Sequence, residues 1–135
     1  WRNGKNAFHD ADGEHGISDT FRHYLAGQLA LLPALLPLFA PTVNSYKRYV
    51  AGSWAATRAN WGVDNRTVAL RVIPGSAKSC RLETRVPGAD ANPYLVIAAA
   101  LAAGAARLLG DLSCHAAAEG RGASAPAVAA FRAKG

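Results

Sequence analysis

In the run Arg81-Leu82-Glu83-Thr84-Arg85-Val86, charged and uncharged residues alternate at every step. Side chains two apart on a strand point the same way. Arg81, Glu83 and Arg85 therefore share one face, while Cys80, Leu82, Thr84 and Val86 share the other, which reads as a core face. Upstream, Arg71 interrupts the apolar run Val68-Ala69-Leu70-Arg71-Val72-Ile73. An unpaired buried charge there would be costly, so Arg71 requires an anionic partner. With Arg66 and Lys78, these residues concentrate charge in or beside two short β-like runs between Asn65 and Val86.

Pattern alone leaves two readings of this ladder open. Opposite charges along an exposed sheet face form ion pairs worth about 0–1 kcal/mol and need no further role. Alternatively, the planar donor fork of arginine suits phosphate and carboxylate. A carboxylate set between two such forks is then well placed to hold Mg2+ or Mn2+ that also touches phosphate.

The remaining chain sets bounds on both. Its 135 residues can bury one modest core, so one domain or a piece of one is expected. It contains no methionine and starts at Trp1, which reads as a segment excised from a longer protein. The net charge of +6 is compatible with a polyanionic partner. The basic residues are dispersed, however, and form no nucleic-acid motif, so no nucleic-acid partner is expected. Cys80 and Cys114 lie in different kinds of segment and imply no disulfide framework. His9, His15, His23 and His115 lack metal-ligand spacing. No signal peptide is visible, and a reducing, cytoplasmic compartment is the expectation.

Residues 1–16 read as a loop or hairpin, with the acids of Asp10-Ala11-Asp12-Gly13-Glu14 in a solvated turn. Ser18 caps a helix with Phe21, Leu25, Leu29 and Leu32 at helical spacing. Pro33 is expected to stop it, and Pro37 and Pro41 to break up the residues beyond it. That hydrophobic stretch is too interrupted to span a membrane. Residues 57–64 suit a strand with Ala59, Trp61 and Val63 on one side, and Asp64-Asn65 a turn into a strand over 67–73. Arg66 and Arg71 are five apart, so they reach one ligand only if Arg66 sits at the turn. Asn92-Pro93 starts a helix that is apolar almost all round from Tyr94 to Leu109, expected to be buried by close packing. From Asp111 on, Ala and Gly dominate, and the tail is read as loose helix near 113–119 and 124–133 or as flexible chain.

Asn44-Ser45-Tyr46-Lys47-Arg48, Asp64-Asn65-Arg66-Thr67, Arg81-Leu82-Glu83-Thr84-Arg85 and Ala91-Asn92-Pro93-Tyr94-Leu95, in this order and spacing, resemble the C-terminal catalytic region of the glutamine synthetase family. The resemblance covers residues 1–110 and leaves 111–135 as a divergent tail. It implies an α+β fold of antiparallel strands packed with helices, part of a glutamine synthetase-like catalytic domain. The implied activity uses ATP and Mg2+ or Mn2+: the γ-carboxylate of glutamate is phosphorylated, and ammonia or an amine displaces the phosphate. Carried onto this sequence, Arg66 becomes the catalytic arginine, and Arg66, Arg71, Lys78 (adenine side) and Arg81 contact ATP. Glu83 becomes a metal ligand, and Arg48 and Arg85 hold glutamate. Lys78 matches least closely, because the linker before Arg81 is one residue shorter than in many relatives. On chemistry alone, Lys47-Arg48 would serve equally as a surface basic pair.

One departure bears on the acceptor. Where ammonia-using members carry a flap glutamate that assists deprotonation of ammonium, this chain has Trp54. An indole cannot accept that proton. It can line an apolar or cation-binding wall for an amine carrying a carbon chain, as the flap of the γ-glutamyl-amine ligase branch implies, or it can pack against its own loop. The resemblance also implies a homo-oligomeric ring, and a paired-histidine segment and further metal-binding glutamates upstream of Trp1. The isolated 135-residue chain is therefore expected neither to turn over nor to bind metal tightly. The rival readings are a non-catalytic structural relative of the family and a basic polyanion-binding module.

Overall fold

A computed structural model describes residues 2–109, so the Ala/Gly-rich tail, Cys114 and His115 lie outside the described residues. The first long helix, α1 (Asp19–Phe39), starts where Ser18 caps it, its hydroxyl accepting the Phe21 amide at 3.2 Å. The same hydroxyl donates to the Ala7 carbonyl at 2.6 Å, which pins the N-terminal segment to the helix start. Pro33 does not end α1; Pro33 and Pro37 both lie inside it. Each proline removes one backbone donor and frees the carbonyl four residues earlier. Both prolines are exposed, and Leu32, Leu36 and Phe39 on the opposite side are buried. Core packing thus holds the helix through the lost bonds until Ala40, just before Pro41, caps it.

The second helix, α2 (Pro93–Leu108), begins with Pro at its first position and Asn92 accepting from the Tyr94 and Leu95 amides at 3.0 and 3.4 Å. It packs on α1 through small residues. A Cβ built on Gly27 would lie 2.2 Å from the Ala103 carbonyl oxygen, and one on Gly104 would lie 2.0 Å from the Tyr24 ring. The two helices therefore cross more closely than alanine permits, and Tyr24 donates across the crossing to the Ala100 carbonyl at 3.4 Å. Burial of α2 is narrower than its composition led us to expect. Ala99, Ala103 and Gly104 are buried, whereas Tyr94, Leu95, Ile97 and Leu101 are exposed, because only the small-residue stripe meets α1. Among the described residues no helix is long and apolar enough to cross a membrane.

Three short strands, β1 (Trp61–Val63), β2 (Leu70–Ile73) and β3 (Arg81–Thr84), form a sheet in that order. The α+β class holds, with a mixed sheet: β2 and β3 pair antiparallel as expected, but β1 and β2 run parallel. Parallel neighbours are usually joined by about a dozen residues or more. Here residues 64–69 suffice, because side chains fasten the loop. Asn60 Oδ1 accepts the Ala69 amide at 3.1 Å, and Asn65 Oδ1 accepts the Thr67 amide and hydroxyl at 2.8 and 2.7 Å. The loop folds so close to β1 that a Cβ on Gly62 would sit 3.3 Å from that of Asn65.

Leu70 and Val72 are fully buried and join Phe21 and Phe39 at the centre of the core, with Cys80 and Val86 also buried in it. One polar link crosses this layer: Thr84 Oγ1 donates at 2.8 Å to Oε1 of Gln28, itself buried on α1. The sheet's other face carries Arg71 and Glu83 opposite one another.

Gly27→Ala is expected to destabilise the chain by about 1–3 kcal/mol, an overpacking cost that exceeds the roughly 1 kcal/mol that Ala gains in helix propensity. Gly104→Ala should cost less, since a Tyr24 ring yields more easily than a backbone carbonyl. Urea unfolding of both variants checks the order.

Candidate active site

The β2–β3 register sets Arg71 directly across from Glu83. Arg71 Nη1 donates to Glu83 Oε2 at 3.1 Å, and Arg85 Nη1 donates to Glu83 Oε1 at 2.6 Å. The other arm of Arg71 donates to Asp64, which follows β1 in the left-handed backbone region at φ 48°. The anion that Arg71 required is thus supplied twice over. Burial pushes the Glu83 carboxyl up, but the Arg85 and Arg71 guanidinium groups outweigh it and leave it below its ordinary value. Hydrogen bonding to Arg71 lowers Asp64, with a further contribution from the charge of Arg66. In return Asp64 raises Arg71, which burial alone would lower.

Arg48 lies at the end of a 3-10 helix, Val43–Arg48, and is half-buried rather than a free surface group. Its guanidinium donates to the Val86 carbonyl and at 3.2 Å to the Tyr49 hydroxyl, and sits 4.7 Å from the centre of the Tyr49 ring. Tyr49 donates to the same carbonyl at 2.7 Å, and burial pushes its hydroxyl pKa up despite the neighbouring Arg48. The other end of this helix is fastened by Asp90, which accepts from Thr42 Oγ1 at 2.9 Å and Ser45 Oγ at 2.5 Å. Those two bonds hold Asp90 below the usual carboxylate range. Sequence reading missed Asp90 as it missed Gln28; the one signal was Thr42 three residues before Ser45, a spacing that forms a capping box here.

The other expected site residues fall around this centre. Arg66 occupies the exposed turn between β1 and β2, where its charge reaches Asp64. Lys78 and Arg81 line a cleft of about 350 Å³ with Asn6, Ala7, Phe8, Ser79 and Cys80. Arg81 is exposed and donates to the Ser79 carbonyl at 2.9 Å, not to Glu83. Asn6 Nδ2 donates to the Cys80 carbonyl at 2.8 Å, tying the floor of that cleft to the start of β3. Cys80 is a free, buried thiol whose pKa burial raises. Trp54 has a φ of 61° and is 67% exposed. It lines an open cleft of about 490 Å³ with Ala51, Gly52, Ala55, Thr57 and Thr67, next to the turn that carries Arg66.

Two chemical fits differ. The planar donor forks of Arg71 and Arg85 on this face suit phosphate and carboxylate ligands through their Nη arms, while the Nε–H groups of Arg48, Arg71 and Arg85 are buried without hydrogen-bond partners. A hard divalent cation wants six or more oxygens. Both oxygens of Glu83 already accept from guanidinium groups, and among the described residues no three His, Cys, Asp or Glu side chains gather to hold a metal. The described residues do not by themselves make a cation site.

The chain is a small α+β unit whose mixed sheet pairs arginines with carboxylates on one face. More particularly, the chain belongs to the glutamine synthetase catalytic-domain family, whose model matches residues 1–130. It is 57% identical over 103 residues to type-1 glutamine synthetase 2 of Dictyostelium discoideum, covering 76% of this chain and 20% of that protein. It is 52% identical over 101 residues to a gamma-glutamylethanolamide synthetase of Streptomyces coelicolor (70% and 22%), and 50% over 99 residues to a gamma-glutamylputrescine synthetase of Escherichia coli (73% and 21%). The fold matches the cryo-electron microscopy structure of Plasmodium falciparum glutamine synthetase with a TM-score of 0.75 and 27% identity, over 83% of this chain and 22% of that one. The chain thus spans about a fifth of the length of the curated relatives it matches.

Glu83→Gln is expected to lower the melting temperature more than Asp64→Asn does. Glu83 bridges two guanidinium groups at 36% exposure, whereas Asp64 holds one at 69%. Raising salt to about 1 M should shrink the Asp64 effect first, since exposed pairs are screened most. Thermal melts at low and high salt read both differences.

Proposed function

We propose that this chain forms the phosphate- and glutamate-gripping part of an ATP-dependent ligase that joins an amine to the γ-carboxylate of glutamate through a γ-glutamyl phosphate. The observation that carries the reading is the Arg71–Glu83–Arg85 cluster, set on one sheet face of a chain that belongs to the family. Arg66 and Arg71 neutralise charge on the transferring phosphoryl group, with Arg66 as the catalytic arginine reaching in from its exposed turn. Arg81 and Lys78 take the nucleotide in their shared cleft, Lys78 on the adenine side. Arg85 and Arg48 hold glutamate. Mg2+ or Mn2+ requires oxygen ligands beyond the described residues, with Glu83 as one of the set.

Trp54 favours a carbon-bearing amine over ammonia. Its exposed indole walls a cleft beside the Arg66 turn and offers an incoming alkylamine apolar and cation–π contact, but no proton acceptor. Among the relatives, gamma-glutamyl-amine synthetases match at 50–52% and a glutamine synthetase at 57%, so both acceptor classes occur and the choice rests on Trp54. The complete enzyme is proposed to be a cytoplasmic homo-oligomeric ring. The exposed apolar face of α2 is covered there by the rest of the same catalytic domain, and the 135-residue chain alone is inactive.

The test is glutamate- and ATP-dependent phosphate release by the full-length enzyme, with ammonium compared against small amines such as ethanolamine and putrescine. Activity is expected with amines, and Trp54→Glu should shift preference toward ammonium by about tenfold or more, as for other acid–base groups. An ammonium-only profile rejects the role of Trp54. No phosphate release with any acceptor favours a non-catalytic relative. Nucleotide-indifferent binding that weakens steeply with salt would favour a polyanion-binding module.

A further inference from the structure

Arg48 can act on a ligand only if the short helix that carries it stays put. A 3-10 helix of six residues, Val43–Arg48, has little stability of its own, since helix nucleation is costly and 3-10 hydrogen bonds are poorly aligned. It is held from outside at both ends, and both anchors come from one stretch, the connection between β3 and α2. At its start, Asp90 accepts from Thr42 Oγ1 at 2.9 Å and from Ser45 Oγ at 2.5 Å. At its end, Arg48 and Tyr49 both donate to the Val86 carbonyl. Val86 directly follows Arg85, so this clamp fixes the position of Arg48 relative to the other arginine of the proposed glutamate site.

We propose that Asp90 is a positioning residue for glutamate, locking the 43–48 helix onto the β3–α2 connection so that Arg48 is presented beside Arg85. This rests on the reading that Arg48 and Arg85 hold the substrate carboxylates. Three observations describe the latch. Asp90 and Thr42 are exposed, and of the trio only Ser45 is buried, so the latch lies outside the core. The backbone is shaped around the latch: a Cβ on Gly88 would lie 2.5 Å from Asp90 Oδ1 and 3.9 Å from Arg48 Nε. The guanidinium of Arg48 is itself fixed through one arm, by the Val86 carbonyl and the Tyr49 hydroxyl. An arginine carries many rotamers, and holding it in one before the ligand arrives removes much of the entropy cost of binding.

The experiment uses the full-length enzyme with Asp90→Ala, Asp90→Asn and Arg48→Lys, and measures KM for glutamate and for ATP, kcat, melting temperature, and glutamate binding by calorimetry without turnover. Asp90→Ala should raise glutamate KM and weaken glutamate binding by about tenfold, within the range that a small misplacement causes, while ATP KM stays unchanged. Asp90→Asn keeps one acceptor oxygen and should fall between Asp90→Ala and wild type. The Asp90→Ala effect should be largely absent in an Arg48→Lys background, because one interaction is being removed twice. If Arg48→Lys impairs glutamate binding but both Asp90 variants are normal, the positioning role is overturned and the Arg48 reading stands. If Arg48→Lys itself leaves glutamate binding normal, that reading falls and the positioning role falls with it. Equal rises in glutamate and ATP KM with a lowered melting temperature would also overturn it.

Discussion

A guanidinium in the middle strand of a small sheet is the constraint to which the rest of this structure answers. Arg71 is flanked on β2 by Leu70 and Val72, both fully buried, so its charge cannot be abandoned there. Antiparallel pairing places Glu83 opposite it, and the turn after β1 brings Asp64 to its second arm. Glu83 in turn recruits Arg85. Each added partner stabilises the last, and the two arginines and two carboxylates so joined balance, but the exposed Arg66 and Arg81 beside them leave a positive surplus. Such a surplus makes little sense as a stability device, because exposed pairs contribute little and like charges repel. It is reasonable as a surface arranged for an anionic ligand.

How much of this was legible depended on whether the signal was local. Strand alternation placed Arg81, Glu83 and Arg85 on a shared face because a two-residue period is read directly from sequence, whereas only the β2–β3 pairing set Arg71 across from Glu83. The need of Arg71 for an anion followed from burial alone, but its partner Asp64 did not, since nothing local says that residues 64–69 fold back into a parallel pairing. Helix starts at Ser18 and Asn92 were legible from their caps. The end of α1 was not. Proline propensity argued for a stop at Pro33, and the tertiary burial of Leu32, Leu36 and Phe39 overrode it.

Residues whose role is set only by distant neighbours stayed invisible. Gln28 looks like any polar residue in a helix, yet its buried amide oxygen accepts from Thr84, 56 positions away. Gly27 and Gly104 went unread in the sequence, and only the crossing shows that each makes room for the other helix. Asp90 sits in an unremarked loop, 45 and 48 residues from the two hydroxyls it receives. In each case the sequence supplied a residue of suitable chemistry, and only the fold supplied its partner.

The same division explains why the site looks strong for anions and weak for a metal. Gripping an anion needs donors that converge, and one β-hairpin is enough to bring Arg71 and Arg85 together at Glu83. Gripping a hard cation needs several oxygens at once, which a short stretch of chain rarely supplies. Here the one central carboxylate is already committed to two guanidinium groups. A phosphate arriving at those guanidinium groups competes with Glu83 for them, and each arginine arm it captures frees a carboxylate oxygen for other ligands.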